Sequence, residues 1–223
     1  HHIHDYFEKR QVVVSTSTVR REFLLLKRII TVAMTEWNAS IAEHPMMHLD
    51  TPKEANHRTR RLTESEWSAI LQAANAQRNP IVTAVIEFAL ETAMRRSEIL
   101  KLTIHDIDFE KQTACLHDTK NGFGRLVPLS RRALELIASQ PRNQTIFRIS
   151  ASGLQQAWQR IKRKTNILDL RFHDLRHEAI SRFFEIGMSV AEVQCVSGHR
   201  DVRQLFQYTH IQASKIVSSY FSD

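Results

Sequence analysis

Helix breakers are scarce in this chain, which holds only five glycines and five prolines in 223 residues. An interior glycine costs a helix about 1 kcal/mol and a proline about 3 kcal/mol, so long runs of Leu, Ile, Ala, Glu, Arg and Lys with few of either favour a mostly helical build. In residues 18–39, TVRREFLLLKRIITVAMTEWNA, apolar positions recur at helical spacing, with Arg20, Arg21, Lys27 and Arg28 on a basic side. Residues 43–61, EHPMMHLDTPKEANHRTRR, hold two prolines and no sustained period, which reads as an interdomain linker. At LTESEW a new domain opens: Thr63 as N-cap with Glu66 three residues later is a capping box. Further helices are expected over about 80–92, 95–102, 130–139, 152–165, 173–186 (ended by Gly187), 189–197, 201–207 and 212–220. Only residues 107–129 switch to alternation and β-branched residues around KNGFG, predicting a small antiparallel sheet with a turn at Asn121-Gly122. The expected fold class is mainly α with a small antiparallel β-sheet (α+β). No internal repeat or low-complexity segment appears.

Lysine and arginine outnumber the acidic residues 31 to 24, a net charge of +7. Such a balance suits a polyanionic partner, most commonly nucleic acid, although composition alone leaves this open. The longest apolar stretches, such as IVTAVIEFAL, are too short and interrupted to span a bilayer. No signal-peptide pattern opens the chain, so a cytoplasmic location without membrane partners is expected. Cys115 and Cys195 cannot form a disulfide framework, and each lies in an apolar segment like a small core residue. The first residue is not Met and HHIHDYFEKR reads like the end of a helix, so the chain is expected to be a fragment.

The stretch RFHDLRHEAISRFF, residues 171–184, sets two histidines four apart around an arginine. On a helix beginning near His173, positions 173, 176 and 177 share a face, while Leu175, Ala179, Ile180, Phe183 and Phe184 make a buried stripe. A metal reading needs a third ligand and lacks the glutamate of HExxH, so no metal is expected. Taken alone, the segment reads equally well as the solvated basic end of a helix.

It does not stand alone. ETAMRRSEILKL (91–102), TKNGFGRLVPL (119–129), FHDLRHEA (172–179), SGHRD (197–201) and YTH (208–210) follow in this order. Together they resemble the phage-integrase family of tyrosine recombinases, over about residues 60–210. The resemblance implies a tyrosine recombinase catalytic fold preceded by part of a helical core-binding domain. It places the catalytic roles on Arg95, Lys120, His173, Arg176, His199 and Tyr208, with Glu98 as an acidic support. Two positions depart from the usual form: Ala93 stands where a Gly is common, and Ser197 where a Leu is common. Each residue also has a plainer reading: Tyr208 as a surface residue, Lys120 as a solvated hairpin lysine, Glu98 as a salt-bridge partner of Arg95. His177, His105, His117 and His210 read as structural or surface residues, and Arg96, Arg125, Arg148 and Arg200 as uncommitted candidates for phosphate contact.

The implied chemistry is site-specific DNA cleavage and rejoining through a 3′-phosphotyrosyl intermediate, as in integration, excision or inversion. Guanidinium forks on Arg95 and Arg176 match the non-bridging oxygens of a phosphodiester. Tyr208 would be the nucleophile, Lys120 the acid that protonates the leaving hydroxyl, His173 an aid to proton transfer and His199 a phosphate hydrogen-bond partner. One phosphate ester replaces another, so neither a metal nor another cofactor is called for. The implied domains are a partial core-binding domain (1–47), a linker (48–61), a catalytic domain (62–210) and a tail for protomer contacts (211–223). In the first, Arg20, Arg21, Lys27 and Arg28 would contact DNA. The implied partners are a double-stranded recombination site, further copies of the chain in a tetrameric synapse, and room for accessory DNA-bending proteins. The motif stretches resemble especially the shufflon type of inversion recombinase, in a bacterial or phage nucleoid-associated setting. A type IB topoisomerase and a non-catalytic DNA-binding regulator are the competing classes.

Overall fold

The computed structural model describes residues 2–53, 60–117, 124–141 and 144–209. Two compact units divide the chain, His1–Arg58 and Thr59–Asp223. In the first, helices α1 (His2–Val13) and α2 (Thr16–Thr35) are antiparallel neighbours across a tight turn at Ser15. Phe7, Val19, Phe23 and Met46 form its buried centre. The Phe7 and Phe23 rings meet at 5.2 Å, and Arg10 pairs with Glu22 at 2.8 Å across the two helices. The first residues are helical, as HHIHDYFEKR suggested. The expected 18–39 helix starts two residues earlier and stops at Thr35, since Asn38 adopts a left-handed φ of 51° that a helix cannot continue through.

The second unit begins with α3 (Glu64–Asn75), whose capping box is formed as the sequence predicts. The Thr63 hydroxyl accepts from Glu66 N–H at 3.2 Å, and the Glu66 carboxylate accepts from Thr63 N–H at 3.0 Å. Next, α4 (Ile81–Thr92) is apolar on nearly every side and forms the central core helix, packed against α3, α6 and α8. A short α5 (Arg96–Lys101), a single 3-10 turn (Ile104–Asp106) and three strands follow: β1 (Ile107–Asp108), β2 (Thr113–Leu116) and β3 (Arg125–Pro128). The strands form an antiparallel sheet in the order β1-β2-β3, with Ala114 opposite Val127. The expected turn at Asn121-Gly122 and the expected helix at 212–220 lie outside the described residues.

The rest of the chain is helical again: α6 (Arg131–Ala138), α7 (Ala151–Thr165), α8 (Asp174–Glu185), α9 (Val190–Ser197) and α10 (Arg203–Phe206). Gly187, with φ +98°, follows the end of α8 as the sequence predicts. One core gathers Phe88, Phe147, Trp158, Ile161, Leu170 and Leu175 among others. A second, smaller cluster joins α4, α8, α9 and α10 through Leu90, Ala179, Ile180, Val193, Leu205 and Tyr208. The fold class is therefore mainly α with a small antiparallel sheet. Cys195 is exposed and Cys115 half-buried, so neither is a core residue as its apolar neighbours suggested. Cys195 lies on α9 between the buried Val193 and Val196, on the outward side of that helix.

Candidate active site

The site forms where α4, α5, α8 and α9 end or begin. At the end of α4, Ala93 takes a left-handed φ of 52°, and the chain turns through Met94 to Arg95, just before α5. Glu98, one turn into α5, holds this corner. Its carboxylate accepts from Arg95 N–H at 2.7 Å and from Arg95 Nη1 at 2.8 Å. Arg125 on β3 closes the other side with two hydrogen bonds to the same carboxylate, 3.0 and 2.8 Å, and a third to the Val196 carbonyl. Burial alone would raise the Glu98 pKa, but Arg125 and both Arg95 donors outweigh it and hold it at about 2. The reading of Glu98 as a partner of Arg95 is what the structure shows. Arg125, an uncommitted cation in the sequence, is part of the same framework.

Arg176, in the first turn of α8, is buried. Its guanidinium donates to two backbone carbonyls, Ala93 O at 2.6 Å and Ser197 O at 2.7 Å. Burial, with Arg95 close by, lowers its pKa to about 10, which leaves it charged at neutral pH. Arg95 Nη2 donates to Gly198 O at 3.3 Å, so the two guanidiniums bracket the turn after α9. In that turn Gly198 has φ +67°, and a side chain there would come within 2.9 Å of Arg125.

His199 follows. Its Nδ1 lies 2.7 Å from the Ser197 hydroxyl, and its carbonyl accepts from Gln194 Nε2 at 3.0 Å. Burial, then Arg176 and Arg95, push its pKa down to about 4, so the ring is neutral. His173, at the N-cap position of α8, is likewise lowered by burial and by Arg176. Its ring meets His177 edge to face at 4.8 Å.

Tyr208, just beyond α10, is buried, and its hydroxyl hydrogen-bonds Nδ1 of His177. The two rings stack at 5.7 Å. Burial raises the tyrosine pKa to about 12, with Arg176 opposing the rise. His177, read from the sequence as structural, is thus the side chain that holds the Tyr208 hydroxyl. Its spacing of four from His173 put it on the right helix face, but nothing in the sequence pointed to its contact with Tyr208. His105 and His117 are exposed, as expected. Lys120 and His210 lie outside the described residues.

A cleft of about 550 Å³ opens beside these groups, lined by Arg95, His173 and Arg176 together with Arg96, Lys162 and Arg171. No carboxylate among the described residues lines it. A concave, cationic surface of this kind accommodates a tetrahedral phosphoryl group and neutralises charge that builds on its oxygens. Among the described residues no three His, Cys, Asp or Glu side chains converge in a way that would hold a metal ion. On the first unit, Arg21 and Arg28 are exposed on α2, Lys27 is half-buried, and Arg20 donates to the Pro52 carbonyl at 2.6 Å.

Fold and site together define a mainly helical domain in which a buried tyrosine stands beside two clustered arginines and three histidines. Residues 60–215 match the phage integrase family, and the chain belongs to that family. It is 42% identical over 208 residues to the shufflon-specific DNA recombinase of Escherichia coli, covering 92% of this chain and 54% of that protein. A putative integrase/recombinase of Haemophilus influenzae is 32% identical over 213 residues, covering 90% of this chain and 68% of its own length. The chain thus spans just over half the length of the Escherichia coli relative. Among solved structures, the Tn1549 transposon integrase in complex with circular intermediate DNA superposes with a TM-score of 0.72 at 17% identity, covering 96% of this chain and 82% of that one. The catalytic domain of bacteriophage HP1 integrase gives a TM-score of 0.58 at 24% identity, covering 71% and 91%. These likenesses establish the fold.

Proposed function

We propose that this chain is the DNA-cleaving part of a site-specific tyrosine recombinase acting on double-stranded DNA. The observation that carries the reading is the Tyr208 hydroxyl, hydrogen-bonded to His177 at a site that also gathers Arg95, His173, Arg176 and His199. Tyr208 Oη attacks the scissile phosphorus, the bond from phosphorus to the 5′ oxygen breaks, and a 3′-phosphotyrosyl link remains. Arg95 and Arg176 stabilise the charge on the non-bridging oxygens, and His199 adds a hydrogen bond there. With its pKa raised, the phenol is protonated at rest, so its proton must leave as the new bond forms. His177 Nδ1 is in position to receive it, and the edge-on contact of His173 with His177 makes His173 the next member of the relay. The departing 5′ oxygen takes a proton from Lys120. Attack of another strand's 5′ hydroxyl on the phosphotyrosyl bond reverses the step and completes exchange.

Residues 62–210 carry this chemistry in our reading, 1–47 are part of a core-binding domain whose basic α2 contacts DNA, 48–61 link the two, and 211–223 contact a neighbouring protomer. The working assembly is a tetramer on paired sites, with accessory DNA-bending proteins as further partners, in a cytoplasmic, nucleoid-associated setting. In support, no helix among the described residues is long and apolar enough to cross a membrane. Resemblance to a shufflon-specific recombinase favours inversion among the shared outcomes. A suicide DNA substrate tests the reading. The wild-type chain is expected to form a covalent adduct, Tyr208→Phe none with DNA binding unchanged, and His177→Ala an adduct about a hundredfold or more slower. An adduct mapped to Tyr6 or Tyr220 would overturn the assignment, absence of any adduct would favour a regulator, and relaxation without strand exchange a topoisomerase.

A further inference from the structure

Ser197 ends α9 and is completely buried. Its carbonyl accepts from Arg176 Nη2 at 2.7 Å, and its hydroxyl lies 2.7 Å from Nδ1 of His199. One serine therefore touches both the buried guanidinium and the buried imidazole, at a position where the family resemblance leads one to expect leucine. We infer that Ser197 is a positioning residue whose hydroxyl donates to His199 Nδ1 and so holds the imidazole as the tautomer with its proton on Nε2. This rests on the reading of the site as one that binds a phosphodiester.

The direction of the hydrogen bond follows from counting donors. The ring is neutral, because burial and the two arginines hold its pKa near 4, so it carries a single N–H. Phosphate oxygens only accept, and the arginines only donate. The ring is useful to a phosphate only if the nitrogen on the side away from Ser197 bears the proton. Nδ1 is then a lone-pair acceptor, and buried acceptors need a donor. The Ser197 hydroxyl rotates to supply it, as a leucine could not. The backbone fixes the geometry from both ends: Gly198 N–H donates to Gln194 O at 2.8 Å, and Gln194 Nε2 to His199 O at 3.0 Å.

The test combines nitrogen NMR of the His199 ring, assigned by the signals lost in His199→Gln, with suicide-substrate cleavage by the whole chain. In the wild type Nδ1 is expected to resonate as an acceptor nitrogen and Nε2 as a protonated one. Ser197→Ala should populate the opposite tautomer and slow cleavage about tenfold or more with DNA binding unchanged, as when an orienting partner is lost. Ser197→Thr, which keeps the hydroxyl, should retain the wild-type tautomer. A proton on Nδ1 in the wild type, or wild-type cleavage by Ser197→Ala, overturns the inference. A wild-type chain that forms no adduct overturns the recombinase reading instead, which the tautomer measurement reports separately.

Discussion

Glu98 shows how a single side chain organises a cationic site. It takes hydrogen bonds from Arg95 and Arg125 while nearly buried, so removing it leaves two guanidiniums uncompensated. Breaking one partner of a buried ion pair typically costs about 3–5 kcal/mol, and Glu98→Ala is expected to fall in that range by urea denaturation. The pH dependence has a definite sign. The Glu98 pKa is about 2 in the folded chain against 4.5 for an ordinary glutamate, so its contribution is complete above pH 4.5 and is lost as pH falls through 2. Glu178 behaves alike: burial would raise its pKa, but Arg61, the Leu62 N–H and Arg182 hold it at about 2. Stability should therefore fall steeply over this window in the wild type and less steeply in Glu98→Gln; equal slopes would remove Glu98 from the account. Motif order in the sequence singled out Arg95, Glu98, Lys120, His173, Arg176, His199 and Tyr208, of which Lys120 lies outside the described residues. Beyond the Arg95–Glu98 pair, it did not reveal the contacts that join them. His177 meets Tyr208 across 31 positions and Arg125 meets Glu98 across 27, and such pairings are set by how helices pack rather than by any local period.

Local rules read well wherever an element carries its own end signal. The Thr63 capping box and the glycine after α8 stand where the sequence placed them, and Ser130 and Ser150 add N-caps that the sequence reading did not single out. They read less well where the signal is tertiary: α10 spans only Arg203–Phe206, short of the expected 201–207, because Tyr208 is drawn into the cluster between α4 and α8. The end of α4 is the informative exception. Ala93 is fully buried and left-handed, where an L side chain costs about 1–2 kcal/mol. Its methyl group also sits in the cluster with Leu90, Ala179 and Val193, and burying one methyl recovers about 0.8 kcal/mol. The two nearly offset, so Ala93→Gly should change stability by less than about 1 kcal/mol. Ala93→Val adds a branched side chain at positive φ to a full core and should cost about 3 kcal/mol or more. It should also slow cleavage, because the Ala93 carbonyl is one of two that hold Arg176. Thermal melts with cleavage rates on the same samples check both; a strongly stabilised Ala93→Gly would show that the methyl contributes nothing.

At the scale of the whole chain, the proposed recombinase reading implies that a protein of net charge +7 divides its hold on DNA between two units. Cations that contact phosphates release counterions, and each contact steepens the fall of log K with log salt by about 0.9. In the second unit, Arg96, Lys162 and Arg171 line the cleft, and no carboxylate among the described residues is part of that lining. In the first unit, the four basic residues of α2 are not equivalent. Arg21 and Arg28 are exposed two helical turns apart and are available to phosphates, whereas Arg20 is engaged with the Pro52 carbonyl. We therefore expect Arg21→Ala with Arg28→Ala to lower the salt slope by about 1.8, from two lost contacts of about 0.9 each. Arg20→Ala should leave the slope unchanged and instead loosen the first unit's own packing. Because phosphate contacts carry no sequence information, the double variant should weaken binding equally on a recombination half-site and on unrelated duplex. Fluorescence anisotropy over a salt series on both DNAs measures this. A slope that stays put in the double variant but falls in Arg20→Ala would reverse the assignment, and a loss confined to the half-site would mean that α2 reads bases rather than backbone.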